Sequence, residues 1–568
     1  MTAQQQQQPG EVRPLSEKER EAMKAYWVEH SSKATVETMM LDSKAKDIDQ
    51  LERPEVLSIL GSVEGMRVVE LGAGIGRFTA PLAAQAKSVV ALDFMQNLID
   101  ENRATNSHFG NVEFICGDAT ELDLPAESVD LVFSNWLLMY LSDEEVSRFA
   151  RSALRWTPEG GKCFFRESCF RQSGDRSRNA NPSHYRSPRD YFAAFDAARQ
   201  RDPTTGIEYA WELDTCACLD AYVRVKRNQN QVCWRWTKVR VPEDPPRVTR
   251  AFLDNAQYSS RAVAKHEAAF GAGYLSPGGP ARALADAKAL GLVAAKGAAD
   301  AAPPSAAPRA RLLDVGCGTG GADVAIAKAG GVTVHGVDLS ANAILAALDR
   351  LADTRSQADV SFEIANAAKP GTLAARAPYD AAMARESLLH VADKASLLKL
   401  VRQALKPDGK LLVSDYVLGH VAAQTPDAPA PAAPADAKKQ QTQSPTASPP
   451  ASGRATPSGP ETPTPRSPRE GLFQTARSKG YSLTTAEDLA AIVADAGFAV
   501  LETRDDSKLL LTLLEEELAS LEAREAEFSK AFSHDEHIAL VASWRAKIEQ
   551  VKDGSLKWAW ILAQKTEA

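Results

Sequence analysis

Two acidic residues each stand two positions before a glycine-rich loop. Glu70 precedes Gly72, Gly74 and Gly76 in "VVELGAGIGRFT", and Asp314 precedes Gly316, Gly318 and Gly320 in "LLDVGCGTGGAD". The apolar run before each acid reads as a buried strand, and the glycines let backbone approach a ligand closely. A pyrophosphate would want a helix N-terminus free of acid, because backbone N–H groups must meet the anion. The second loop does satisfy GxGxxG through Gly316, Gly318 and Gly321, but the first has Arg77 at the third place. An acid at this point suits a cationic ligand instead.

Further landmarks follow each loop in the same order, about 244 residues apart. Asp93 stands in "VVALDF" and Asp338 in "VTVHGVDLS", each placed to accept from ribose hydroxyls. Asp118 and Ala119 in "VEFICGDAT" match Asn366 and Ala367 in "VSFEIANAA", at the place that would meet an adenine amino group. Asn135 in "VDLVFSNWLLMYL" matches Arg385 in "YDAAMARESLLHV". "PEGGKCFFRES" and "PDGKLLVSDY" close the two copies. An ordered internal repeat of this kind marks a duplicated domain. S-adenosylmethionine, with an ammonium, a sulfonium and no phosphate, fits both copies, and methyl transfer is the chemistry it supports.

The elements that must position these residues are short β-rich runs separated by helical patterns such as "AILAALDRLAD". That alternation predicts parallel βαβ units, so each copy reads as an α/β domain with a doubly wound, mostly parallel sheet. Its ligand would sit at the carboxyl ends of the strands. The chain has 568 residues, too many for one core. Residues 1–18 read as disordered, 19–250 as the first domain and 251–568 as the second. Residues 295–309 read as an Ala/Pro-rich loop, and 421–470 as a low-complexity disordered insertion without apolar periodicity.

The net charge of -8, without a Lys/Arg block, argues against a nucleic-acid partner. No apolar run approaches the length of a membrane span, and the N-terminus lacks a signal-peptide core. The seven cysteines form neither paired CxxC motifs nor a zinc pattern, so no metal is expected. These features predict a cytoplasmic monomer with reduced thiols and a small-molecule substrate.

At "YWVEHSSKATVETMMLDSKAKDID", "FSNWLLMYLS", "FFRESCFRQSGD", "NQNQVCW", "FLDNAQYSS" and the tail "LKWAWILAQK", the sequence resembles the plant-type phosphoethanolamine N-methyltransferases. The resemblance spans nearly everything from about residue 18 to residue 566, apart from the two Ala/Pro-rich insertions. It implies two tandem class I (Rossmann-like) methyltransferase domains that convert phosphoethanolamine to phosphocholine through mono- and dimethyl forms, on the route to phosphatidylcholine. It also implies that the first domain adds the first methyl and the second adds the other two.

A primary ammonium must lose a proton before it can attack. With a pKa near that of lysine, about 10.4, roughly one molecule in a thousand is neutral at pH 7, so a placed base matters. His390 in "ESLLHV" is the natural base just after the fourth strand. The resemblance pairs it with Tyr258 and puts Glu386 beside it. It assigns Tyr416, Lys479, Tyr481 and Lys547 to the phosphobase. Glu386, Asn366, Thr475 and Lys479 stand where the family usually has Asp, Asp, Tyr and Arg. In the first domain Tyr140 holds the position of His390 and Trp136 that of Glu386. Tyr140, Tyr26 and His30 are candidates to orient or deprotonate the amine, and His184, Tyr185 and Arg186 to bind the phosphate. Two other readings remain open at this level: one working domain with the second serving as scaffold or sensor, and methylation of a protein or RNA.

Overall fold

The computed structural model describes residues 14–31, 35–175, 182–242, 249–293, 309–354, 356, 358–419 and 467–566. Most of the two Ala/Pro-rich insertions, 295–308 and 421–466, therefore lies outside the described residues. Two expected boundaries move. The first helix begins at Glu17, inside the stretch read as disordered, because Ser16 and Glu19 form a reciprocal capping box. The helix Pro468–Lys479 begins inside the expected insertion. Ser467 caps it, its Oγ accepting from the Glu470 N–H (3.2 Å), and proline takes the first helical turn. Proline-rich composition hid a Ser-Pro helix start.

In the first half the strands are β1 (Arg67–Leu71), β2 (Ser88–Asp93), β3 (Val112–Cys116), β4 (Leu131–Asn135), β5 (Lys162–Ser168), β6 (Arg199–Arg201), β7 (Glu208–Cys218) and β8 (Gln231–Arg240). In the second they are β9 (Ala310–Val315), β10 (Val332–Asp338), β11 (Val360–Ala365), β12 (Tyr379–Arg385), β13 (Leu405–Leu418), β14 (Phe498–Asp505) and β15 (Leu556–Lys565). Each half lays five parallel strands in the order third, second, first, fourth, fifth. An antiparallel hairpin-like pair then continues each sheet: β8 beside β5, then β7, and β15 beside β13, then β14. The expected doubly wound, mostly parallel sheet is present twice.

Helices cover the sheet because their apolar faces match it. In the helix Asp143–Trp156 a capping box at Ser142 and Glu145 starts the turn, and Val146, Phe149, Ala150, Ala153 and Leu154 fall on one buried face. Each large apolar side chain so buried contributes about 1.5–3 kcal/mol. The leucine-rich helix Ser507–Ala523 likewise buries Leu510, Leu514 and Leu521, packing on the helix His534–Lys552 in the second half.

The halves meet edge to edge. β7 pairs antiparallel with β11, with Ala217 opposite Glu363 and Thr215 opposite Ala365, so a single sheet runs through both. A buried ionic cluster sits on this seam. The Arg376 guanidinium, from the second half, lies 2.8 Å from Asp220 and 3.6 Å from Glu55, both from the first, and 3.7 Å from Glu363. It also donates to the Cys218 carbonyl. Glu55 in turn accepts from the backbone N–H groups of Asp220 (2.7 Å) and Ala221 (2.9 Å). Removing one partner of such a cluster leaves uncompensated buried charge, at a cost of about 3–5 kcal/mol. Arg376→Ala is therefore expected to lower the melting temperature markedly in a thermal scan, whereas the exposed ion pair of Arg103 with Asp100 can be removed with little change.

Candidate active site

Both clefts open at the carboxyl ends of the parallel strands, where each glycine loop turns. In the first loop the Gly74 N–H donates to Asp93 Oδ2 (2.9 Å), and in the second the Gly318 N–H donates to Asp338 Oδ2 (2.9 Å). The acid at the end of the second strand thus fixes the loop while lining the cleft. Gly316 has φ +82°, and a Cβ there would lie 2.2 Å from Ser387 Cβ, so no side chain fits. The third glycines do not face the clefts. A Cβ on Gly76 would meet Asn102 and one on Gly320 would meet the Phe362 ring, at 2.3 Å and 2.1 Å. They pack against Asn102 of the helix Gln96–Asn106 and Phe362 of β11 rather than lining the clefts, which corrects their placement at the cofactor.

Glu70, Gly72, Gly74, Asp93 and Asn135 line the first cleft. Asp314, Gly316, Gly318, Asp338, Asn366, Ala367 and Arg385 line the second. Asp118 and Ala119 do not share the first lining. Asp118 turns to the Thr120 N–H (2.8 Å) and stands 3.6 Å from the Arg20 guanidinium, and Ala119 packs on the core. Burial pushes the Glu70 carboxyl up to about 8. Burial, then the neighbouring Asp323, pushes Asp314 well above the carboxylate range. Asp314 Oδ1 and both Asp323 oxygens are buried without a hydrogen-bond partner in the described residues. Glu70 and Asp314, buried acids in the two cleft linings, suit the ammonium of S-adenosylmethionine, so the residues present fit that cofactor.

In the second half the expected residues converge. The Tyr258 hydroxyl and His390 Nε2 lie 3.0 Å apart, and the Tyr481 ring stands edge-on to His390 with centroids 5.1 Å apart. Gln257 Nε2 donates to the hydroxyls of Tyr481 (2.9 Å) and Tyr258 (3.2 Å). Lys547 sits over the Tyr416 ring at 4.9 Å. Glu386, Lys479 and Thr475 share the lining, in a cavity of about 680 Å³. Burial, then the Lys479 and Lys394 cations, bring His390 down to about 4, so the imidazole is neutral at pH 7. Burial, then Lys479, bring Lys547 down to about 8.

The first cleft is narrower, about 110 Å³. Tyr140 and Tyr185 line it together with Trp27, Trp136, Ser168 and Ser173. Tyr26 and His30 stack on each other, centroids 4.0 Å apart, outside that lining. Arg186 does not serve the cleft: its fork is spent on Asp143 and on the carbonyls of Leu138 and Leu141, where it closes the turn after β4. His184 is also outside the lining, its backbone N–H donating to the Met139 carbonyl (2.7 Å).

Sequence reasoning missed three groups. His266 lines the second cleft, where burial and the Lys479 and Lys547 cations bring it down to about 4. Its place on a helix with no repeated landmark left no signal. Glu167 on β5 and Asp415 on β13 hold the turns that carry Tyr140 and His390. Glu167 accepts from the N–H groups of Leu137 (3.1 Å), Leu138 (2.8 Å) and Met139 (3.2 Å), and Asp415 from Leu389 (2.8 Å). The recurrence of an acid in "FFRES" and "LVSDY" was a signal for both.

Methyltransferase-domain family models match residues 69–165 and 291–503. The chain is 38% identical to phosphoethanolamine N-methyltransferase 3 of Arabidopsis thaliana, covering 96% of this chain and 99% of the relative. It is 36% identical to phosphoethanolamine N-methyltransferase 1 of Zea mays, covering 98% of each. This chain belongs to the phosphoethanolamine N-methyltransferases. Among solved structures, Haemonchus contortus phosphoethanolamine N-methyltransferase 2, in complex with phosphomonomethylethanolamine and S-adenosylhomocysteine, shares the fold. Its TM-score is 0.64 at 20% identity, covering 91% of this chain and 99% of that one. Among the described residues no helix is long and apolar enough to cross a membrane.

Two outcomes follow for this methyltransferase. Gly316→Val is expected to abolish adenosylmethionine binding in the second half alone, so calorimetry should fall from two sites to one. As pH rises through about 8, Lys547 in the empty second cleft loses its charge, so affinity for a phosphobase should fall from pH 7 to pH 9. Lys547→Met should flatten that dependence and weaken binding by about 10–100-fold, the worth of one hydrogen bond to a charged group.

Proposed function

We propose that the first half adds one methyl to phosphoethanolamine and the second adds the next two, giving phosphocholine, in a chain that works as a cytoplasmic monomer. The protein is an S-adenosylmethionine-dependent N-methyltransferase acting on phosphoethanolamine. The division of labour and the residue roles are inferred. The observation that carries them is the 3.0 Å contact between Tyr258 and His390, at the mouth of a cofactor loop and in one cleft with two lysines.

Glu70, Asp314 and the two glycine loops would hold S-adenosylmethionine, which would supply an electrophilic methyl for the amine nitrogen, with S-adenosylhomocysteine left behind. The chain's own residues do the rest. Lys479 and Lys547, with the hydroxyls of Tyr416 and Tyr481, hold the phosphate and fix the amine's reach. The Glu386 carboxylate draws the ammonium to the cleft. His390 Nε2 takes the proton that the amine must lose, and Tyr258 orients the ring. In the empty cleft His390 is a weak base partly because Lys479 repels its imidazolium. A phosphate dianion seated on Lys479 cancels that repulsion, so substrate binding itself strengthens the base. The first half has no histidine at this position. Tyr140 and Tyr185 flank its amine, in a cleft that need serve only the first, least substituted amine.

His390→Ala is expected to leave cofactor binding intact and to slow the second half by about 10²–10⁴-fold, the usual range for a general base. Monomethyl phosphoethanolamine would then accumulate, and Tyr258→Phe would act in the same direction. Phosphocholine formed by the His390→Ala chain at the unmutated rate would sink the assignment.

A further inference from the structure

The two clefts carry the same tryptophan hydrogen bond with donor and acceptor exchanged between strands. β4 and β12 end on equivalent residues, Asn135 beside Arg166 and Arg385 beside Ser414. The next residue in each half, Trp136 or Glu386, has positive φ (60° and 47°) and donates its backbone N–H to that same neighbour, Arg166 (2.8 Å) or Ser414 (2.7 Å). Two residues further along the fifth strand, Ser168 pairs with Gln231 and Tyr416 with Trp558. So Trp136 and Glu386 are equivalent, and so are Gln231 and Trp558. In the first half Trp136 Nε1 donates to Gln231 Oε1 (2.9 Å). In the second, Trp558 Nε1 donates to Glu386 Oε1 (2.9 Å). The indole has moved from the antiparallel strand beside the fifth (β15 in the second half, β8 in the first) to the cleft wall, and the acceptor has moved the other way.

The exchange changes what a cation meets. In the second cleft Glu386 Oε1 also accepts from Ser414 Oγ (3.0 Å), while Oε2 is buried without a hydrogen-bond partner in the described residues. A free carboxylate oxygen in a cavity of about 680 Å³ can hold an ammonium through successive methylations. In the first cleft, among the described residues, the only carboxylates in the lining are Glu70 and Asp93, both at the cofactor loop. Trp136 cannot replace the anion with its π face, because the Arg166 guanidinium already stands 3.7 Å from the ring centroid and Arg77 5.6 Å. Gln231 holds the indole rigid, its Nε2 donating to Ser168 and Ser173 (2.6 Å each).

We propose that the Trp136–Gln231 pair is the specificity determinant that ends methylation in the first half after one methyl. The indole fills the place where the other half keeps a carboxylate, so the monomethyl ammonium finds neither room nor counter-charge and leaves before a second proton loss and transfer. This rests on the reading that the first half performs the first methylation.

The test uses the full chain carrying Gly316→Val, which removes cofactor binding from the second half. That parent should turn phosphoethanolamine into the monomethyl form and stop; no monomethyl product would sink the underlying reading rather than this proposal. Exchanging the pair (Trp136→Glu with Gln231→Trp) should let dimethyl product appear. Added phosphocholine, a fixed cation, should then inhibit monomethyl formation at a concentration at least 10-fold lower. Trp136→Asp, which leaves Gln231 and its serine contacts in place, should shift both readouts the same way if the double exchange does not fold. Monomethyl formation that persists in either variant without dimethyl product, and with unchanged phosphocholine inhibition, overturns the proposal. So does loss of monomethyl formation in both variants at an unchanged melting temperature, because Trp136 would then serve the first transfer itself.

Discussion

A carboxylate on the fifth strand, Glu167 or Asp415, holds the buried turn that flanks each cleft. The chain leaving β4 or β12 must turn sharply, and the turn is buried, so its N–H groups need acceptors. Glu167 supplies one carboxylate for three of them in the first half, and Asp415 accepts from one of them, the Leu389 N–H, in the second. Because those bonds fix the short 3₁₀ turns Leu138–Tyr140 and Leu388–His390, they also fix where Tyr140 and His390 point. Tyr140 and His390 stand one strand away from the carboxylates that hold their turns.

The seam answers a different constraint. A doubly wound sheet that ends in an antiparallel pair keeps two unpaired edges, and a long exposed edge invites association. Here one edge of each half covers the other, β7 against β11, and the buried Arg376 cluster sits over that join. Two copies of one domain thereby share a continuous sheet, and their cores are contiguous: Cys216, Trp234 and Trp236 of the first half belong to the same apolar cluster as Leu312, Ile326 and Phe362 of the second.

The halves spend their buried charge differently. Behind the first cleft, Arg77 and Arg166 are matched by Asp49 and Glu52, which makes that wall neutral and stiff. The second cleft instead keeps two buried lysines in its lining: Lys479 and Lys547 have their pKa values lowered by burial, which leaves them poised for an anion. Narrow and neutral against wide and polar is a difference in partners, laid over one backbone plan.

Much of this was legible in the residues themselves. The two glycine loops with an acid before each, the acids Asp93 and Asp338, and the order of the five landmarks are local patterns, and they determined the fold class, the duplication and the cofactor. The convergence of Tyr258, His390, Tyr481, Lys479 and Lys547 was readable from motif resemblance, because each falls in a short distinctive stretch. Which polar residues remain free to meet a ligand was decided only by tertiary structure. Arg186, His184 and Asp118 carry suitable chemistry in the sequence, yet Arg186 and Asp118 are engaged by distant or local partners, and His184 lies outside the cleft lining. Gly76 and Gly320 are loop glycines in the sequence and packing glycines in the fold, because Asn102 and Phe362 approach from other elements. Hydrogen bonding and packing are long-range properties: a side chain's type is written at its own position, but its availability depends on what the rest of the chain brings against it.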